Sequence, residues 1–190
     1  MGDVAVEVDI DHKSDLLSSQ ILHFIHNHPS AVSLREDPAV SEVELRLDIP
    51  DEERHQNLMT GALAGPKKLI MSPFLFRNAE ERSMVMFFYV GSGVCGHPGI
   101  VHGGVLATIA DEDWRGAVFL ICRIRAPAMA NSYIAFRAAT TRVEGRKAWV
   151  EGRLETLPVD GKESVLLVEA RALFLEPRQA ADFVTPYKVG

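Results

Sequence analysis

The sequence predicts an α+β fold in which an antiparallel sheet wraps one central helix. Three observations carry that expectation. A run of good helix formers, Val105 to Ala110, sits between His102-Gly103-Gly104 and Asp111 and has the composition of a buried helix with a glycine start. Six segments rich in Phe, Met, Ile, Val and Tyr surround it in the chain. The last three are long and joined by turns at Glu144-Gly145-Arg146 and Pro158 to Glu163, which reads as a meander rather than as strands alternating with helices.

In chain order, Asp15 to Asn27 places Leu16, Leu17, Ile21, Phe24 and Ile25 on one helical face, and Asn27 with Pro29 supplies a stop. Arg35 to Arg54 is rich in Glu, Asp and Pro and is expected to wrap the surface as short helix and loop. Thr60 to Pro66 is a glycine-punctuated lead into the main domain. Strands are expected at Leu69–Phe76 and Ser83–Val90, split by the polar turn Arg77 to Glu81. After the helix they are expected at Val118–Arg125, Ser132–Val143, Lys147–Thr156 and Ser164–Leu175. This divides the chain into an N-terminal helical and acidic extension (1–60), a main domain (61–180) and a C-terminal tail (181–190).

Composition narrows the function. With 190 residues and 47 % apolar content, the chain buries one good core with room for a small extra element. Cys95 and Cys122 are its only cysteines and have no Cys-x-x-Cys spacing, which argues against a disulfide scaffold or a zinc ribbon and for a reducing compartment. The N-terminus, MGDVAVEVDIDHKSD, is acidic with one lysine, unlike a secretory signal or a mitochondrial presequence. No apolar run reaches membrane-spanning length, and the last four residues, Tyr187 to Gly190, are not a Ser-Lys-Leu address. Cytosol is the default compartment, with mitochondrion or peroxisome as alternatives. Residues 1–60 hold 13 acidic and 4 basic groups, a net −9, whereas the remainder holds 13 and 16, a net +3. The mildly basic part suits a polyanionic ligand; no basic stripe with interleaved aromatics points to nucleic acid.

The stretch from Gly96 to Asp113, GHPGIVHGGVLATIADED, is the most specific in the chain. A helix start offers unpaired backbone N–H groups. At Gly103 and Gly104 no side chain stands in front of them, so a carbonyl oxygen can approach where the helix dipole adds to the pull. Asp111 follows His102 by nine positions, which on an α-helix is about 180° around and about 13 Å along. The glycine amides and Asp111 of one chain therefore cannot face one small reacting group. A composite site needs a second copy, with its helix antiparallel to the first. The plainer reading is that Gly103 and Gly104 let a helix pack tightly on a sheet and Asp111 is a solvated helix residue.

The same stretch resembles the His-Gly-Gly signature of the hotdog-fold acyl-CoA thioesterases, in the PaaI-like and THEM-type branch with its fungal relatives. There too the first carboxylate lies nine residues after the histidine. SGVCGHPGIVHGG, RVEGRKAWVEG and VEARALFLEP are similar to family sequence block by block, and HPSAVSLRED is similar to the fungal members. The resemblance implies a homodimer or dimer of dimers with active sites at the dimer interface, an acyl-CoA substrate, and no metal, nucleotide or flavin cofactor. It implies that the N–H of Gly104, or of Gly103, polarises the thioester carbonyl. Asp111 of the partner subunit then orients water as base or attacks as nucleophile, and His102 fixes the turn. Consecutive helix residues point about 100° apart, so of Asp111-Glu112-Asp113 the spacing selects Asp111, with Glu112 next. His97 and Gly99 in the lead-in, and Arg146 and Lys147 in the hairpin turn, are candidates for substrate contact, the latter two because cationic side chains match phosphate oxygens. A non-catalytic acyl-CoA-binding protein of the same fold is the alternative.

Two further readings complete the sequence. His23, His26 and His28 cluster near a helix end, but no carboxylate or cysteine completes a metal set, and Cys95 reads as a small buried thiol. In the family, a loop after the helix leads into a strand bearing Thr-Ala-Asn-Leu, whose threonine is a proposed catalytic partner. Here Trp114 to Val118 runs almost directly into Phe119 to Pro127, so the loop and the threonine-bearing strand start are absent and one strand region is expected to be shortened, with lower stability and activity than in a member with the full segment.

Overall fold

A computed structural model describes residues 4–47, 50–112, 117–159, 161–176 and 187–189. Two helices come first, α1 (Val4–Asn27) and α2 (Pro29–Glu36), then strand β1 (Val40–Leu47). A 3₁₀ segment at Asp51–Gln56 and a π-turn at Leu58–Ala62 lead to β2 (Leu69–Asn78) and β3 (Ser83–Val90). A small hairpin, β4 (Cys95–His97) and β5 (Ile100–Val101), precedes the central helix α3 (Gly103–Glu112). The chain then forms β6 (Ala117–Ile124), β7 (Ser132–Glu144), β8 (Lys147–Thr156), β9 (Leu166–Leu175) and β10 (Tyr187–Val189).

Eight of these strands make one sheet in the order β10-β1-β2-β3-β7-β8-β9-β6, with every neighbouring pair antiparallel. The expected strands and the central helix are all present. Segment 40–47, expected to lie on the surface as helix and loop, is instead a strand paired with β2 from Val40↔Asn78 to Glu44↔Phe74. Its alternation of Val43, Leu45 and Leu47 with charged residues fits a half-solvated strand near a sheet edge. Residues 187–189 of the expected tail pair with β1. The sheet thus draws strands from both flanks of the 61–180 segment.

The sheet carries a core on each face. Val105, Leu106, Ile109 and Ala110 of α3 are buried against Met86, Phe88, Ile134, Phe136 and Leu154. On the opposite face, Ile21 and Ile25 of α1 and Ala31 of α2 cover Phe76, Val85, Phe87 and Tyr89. Phe24 stacks on Tyr133 with ring centroids 4.1 Å apart. Strand β3 feeds both cores alternately, so Val85 to Val90 are all buried. Each such large side chain contributes about 1.5–3 kcal/mol of burial, and β3 has little polar surface to give up.

The junction of α1 and α2 rests on His28, which is 6 % exposed. Its Nδ1 accepts the Ser30 N–H at 3.1 Å as the N-cap of α2, and its Nε2–H donates to the Pro158 carbonyl at 2.8 Å. One imidazole thereby starts a helix and ties it to the β8–β9 connection, while Pro29 occupies the first helical position, where a missing N–H costs nothing.

β6 is the last strand at its end of the sheet and pairs with β9 from Ala117↔Phe174 to Ile124↔Val168. The brevity seen in the sequence falls on the connection between α3 and β6. Asp113, Trp114, Arg115 and Gly116, which make that connection, lie outside the described residues.

Candidate active site

The turn before α3 is pinned from several sides. Pro98-Gly99 closes the β4–β5 hairpin, with Gly99 at φ +76°, a conformation that favours glycine. The Val101 N–H donates to Ala128 O, Ala130 N–H to Gly99 O, and His102 N–H to Val94 O, each at 2.9 Å. His102 then caps the helix twice over. Its carbonyl accepts the Val105 N–H at 2.9 Å, and its ring Nδ1 accepts the Gly104 N–H at 2.9 Å, which places the ring proton on Nε2.

This capping separates the two glycines. The Gly104 amide is engaged by His102, whereas the Gly103 N–H has no acceptor among the described residues. A Cβ on Gly104 would lie 2.9 Å from His102 Nδ1, and one on Gly96 would lie 2.9 Å from His102 Cδ2. Both positions are held to glycine by the folded-back imidazole. A Cβ on Gly103 would instead meet only the tip of a side chain, Ile124 Cδ1, at 2.7 Å.

Asp111 is exposed near the end of α3, eight positions from Gly103 and hence about 12 Å along the axis. One chain therefore does not bring them together. Asp111 does stand beside β6: burial, and then the Asp111 charge, push the Cys122 thiol up from its ordinary value. Glu112 ends the helix.

The remaining candidates divide between the two ends of α3. His97 and Gly99 are exposed in the hairpin that leads to Gly103. Arg146 and Lys147 lie at the other end, because Lys147 pairs with Leu175 and Ala148 with Phe174, the residue that pairs with Ala117 at the start of β6. Arg146 donates from its guanidinium to the Glu176 carbonyl at 2.8 Å, and Lys147 is exposed. Helix N-terminus, His97 and Gly99 thus form one group, with Asp111, Arg146 and Lys147 forming the other.

Other clusters are occupied differently. His26 Nδ1 lies 3.0 Å from an Arg35 guanidinium nitrogen, and His23 is within 3.3 Å of the Asn27 amide. No group of three or more His, Cys, Asp or Glu stands close enough to hold a metal among the described residues. Cys95 is half-buried and free. A depression of about 780 Å³ over Arg123, Arg137, Arg153 and Arg171 opens on the face away from α3, and several of its arginines pair with Glu151 and Glu155.

No family profile matches the sequence. Individual relatives do. An uncharacterized mitochondrial protein of Candida albicans is 26 % identical over 181 residues, 88 % of this chain and 81 % of that one. Acyl-coenzyme A thioesterase THEM4 of Xenopus laevis is 30 % identical over 112 residues, 54 % of this chain and 49 % of its own length. An uncharacterized protein of Schizosaccharomyces pombe is 34 % identical over 122 residues, 57 % of this chain and 69 % of that one. The chain has the hotdog fold, and its sequence is similar both to acyl-coenzyme A thioesterase THEM4 and to these fungal proteins.

In this hotdog fold, helix α3 is the filling and the sheet its wrap. The chain spans about half the length of the THEM4 relative. No helix among the described residues is long and apolar enough to cross a membrane. One residue of the site region escaped the sequence reading: Ile124, whose contact with Gly103 comes from a strand more than twenty positions away. Its signal was its place on an edge strand just before Arg125-Ala126-Pro127.

Proposed function

We propose that this protein hydrolyses acyl-CoA thioesters as an antiparallel dimer. The observation that carries the reading is the separation of a free donor, the Gly103 N–H at the N-terminus of α3, from an exposed carboxylate, Asp111, at the other end of the same helix. An antiparallel second copy unites the halves twice. The thioester oxygen accepts the Gly103 N–H, where the helix dipole stabilises the oxyanion. Asp111 of the partner subunit orients a water as general base, or attacks the carbonyl carbon to give an anhydride that water then opens. His102 holds the turn in shape by capping Gly104, and the leaving sulfur departs toward the exposed imidazole side.

The surface of β6 supports the pairing. Val118, Phe119, Ile121 and Ile124 are each more than half exposed on this edge strand, and an open edge with apolar side chains on both faces suits a second β6. The same pairing moves the partner's Lys147, with Arg146 beside it, toward the end of α3 that carries Gly103, where the phosphates of coenzyme A would meet them. The mitochondrial names of relatives favour the mitochondrion over the cytosol for this chain too, which a tagged full-length protein tests by microscopy.

A second reading has its own support: β6, AVFLICRI, carries no hydroxyl side chain, so a protein that binds acyl-CoA without hydrolysing it fits the same fold. Turnover of a panel of acyl-CoAs by the purified chain, with equilibrium binding measured alongside, separates the two. Binding with no hydrolysis replaces the first reading by the second; neither binding nor hydrolysis removes both.

A further inference from the structure

We propose that Ile124 is the specificity-determining wall of the Gly103 donor, and that it restricts the acyl group to one without a branch at the carbon next to the thioester carbonyl. The inference rests on the thioesterase reading and adds the substrate class.

The Ile124 δ-methyl stands where a side chain on residue 103 would begin, 2.7 Å from an ideal Cβ there. It closes one flank of the only helix-start amide in this turn that has no acceptor among the described residues. The His102 ring stands over the next residue, its Nδ1 and Cε1 2.9 and 3.0 Å from an ideal Cβ on Gly104. On this proposal the ligand reaches the donor through a slot between these two groups. The backbone that carries the aliphatic group is anchored. Ile124 is the last paired residue of β6, opposite Val168, and the next residue anchors the strand end through the Arg125 N–H to Leu167 O at 2.8 Å. Its β-branched side chain has little freedom at χ1. Yet 55 % of the residue is exposed, so it is not part of the closed core.

A thioester is flat: carbonyl oxygen, carbonyl carbon, sulfur and the α-carbon share one plane. It enters a slot edge-on to reach a donor at the bottom. An unbranched α-methylene lets the rest of the chain continue in that plane. A second substituent on the α-carbon must project out of it, into the Ile124 methyl or the His102 ring. One methyl group misplaced in a close site is worth about 10- to 200-fold in kcat/KM.

Butyryl-CoA and isobutyryl-CoA test this at equal carbon number. The full chain should favour butyryl-CoA by about 10-fold or more in kcat/KM. Ile124→Ala should bring the ratio toward one by raising the isobutyryl value, with Ile124→Val in between and melting temperatures confirming folded variants. A merely structural role would lower both values together. Equal rates in the wild type, or an unchanged ratio in both variants, overturn the proposal. If the wild type turns over neither substrate, the hydrolysis reading fails separately. The same comparison is then made on affinity, with the butyryl and isobutyryl ketone analogues in which a methylene replaces sulfur. A wild-type preference for the unbranched analogue that Ile124→Ala abolishes sustains the wall; equal affinities, or no binding of either, overturn it.

Discussion

His102 Nδ1 accepts the N–H of Gly104 at 2.9 Å, so the histidine of the signature spends its ring on its own helix. Replacing it with alanine removes an N-cap, expected to cost about 0.5–2 kcal/mol and to be read as a lower melting temperature. His102→Asn, whose side-chain oxygen also accepts from a helix start, should recover most of that stability. Equal melting of the alanine variant and wild type would show that the cap contributes nothing.

Complementation reports on the composite site. Asp111→Ala and Gly104→Val should each lose about 10²-fold or more of turnover, the second because its Cβ would meet the imidazole. Mixed and re-equilibrated one to one, half of the dimers pair one variant with the other, and each such dimer has one intact site. Activity should return to about a quarter of wild type. A mixture no more active than its parts would place both groups in the same subunit's site.

Assembly depends on the free edge. Two lysines, Val118→Lys with Ile121→Lys, set like charges along an antiparallel β6 pair. The wild type should sediment at twice the 21.0 kDa chain mass or more, and the double variant at one chain mass with its hydrolysis lost. A wild type that is monomeric at micromolar concentration would end the shared-site argument.

Cys122 reports on Asp111 directly. Burial and the neighbouring carboxylate hold the thiol up, so at pH 8 less of it is thiolate than in a free cysteine. Asp111→Asn removes the charge, lowers the thiol toward its usual range and increases the thiolate fraction at any pH below it. In a Cys95→Ala background, alkylation by iodoacetamide should therefore be slow in wild type and faster in the asparagine variant, with the pH profile moved to lower pH. An unmoved profile would show that the two groups do not interact.

His28 is expected to matter to the N-terminal layer alone. Removing its ring breaks the cap of α2 and the bond to Pro158, so His28→Ala should lower the melting temperature and increase amide exchange in α1 and α2 before the central sheet. Uniform exchange throughout would mean that the layer unfolds only with the rest.

Much of this fold was legible because local pattern and tertiary role coincide. Ser83–Val90 and Lys147–Thr156 are strands at the expected bounds, and α3 begins at the glycine turn where the helix-start rules put it. Strand β1 was not legible as such. Its charges outweighed the alternation of Val43, Leu45 and Leu47, and pairing with β2 decides its conformation. The apolar run Met84 to Val90 held a further signal, since a strand without polar alternation is covered on both sides, and the second cover is α1 with α2. The motif singled out both glycines and Asp111 as candidates, but which amide is free depends on the rotamer of His102, and the Ile124 contact depends on register. Neither property is written in residue spacing.

The order of the strands has a consequence for where association proceeds. At one margin of the sheet stands β10, three residues long, and at the other stands β6, eight residues long. The short β10 covers β1 only at Leu45–Leu47 and offers few backbone groups to another strand, so under the proposed β6–β6 pairing it is the longer margin that takes up a second copy.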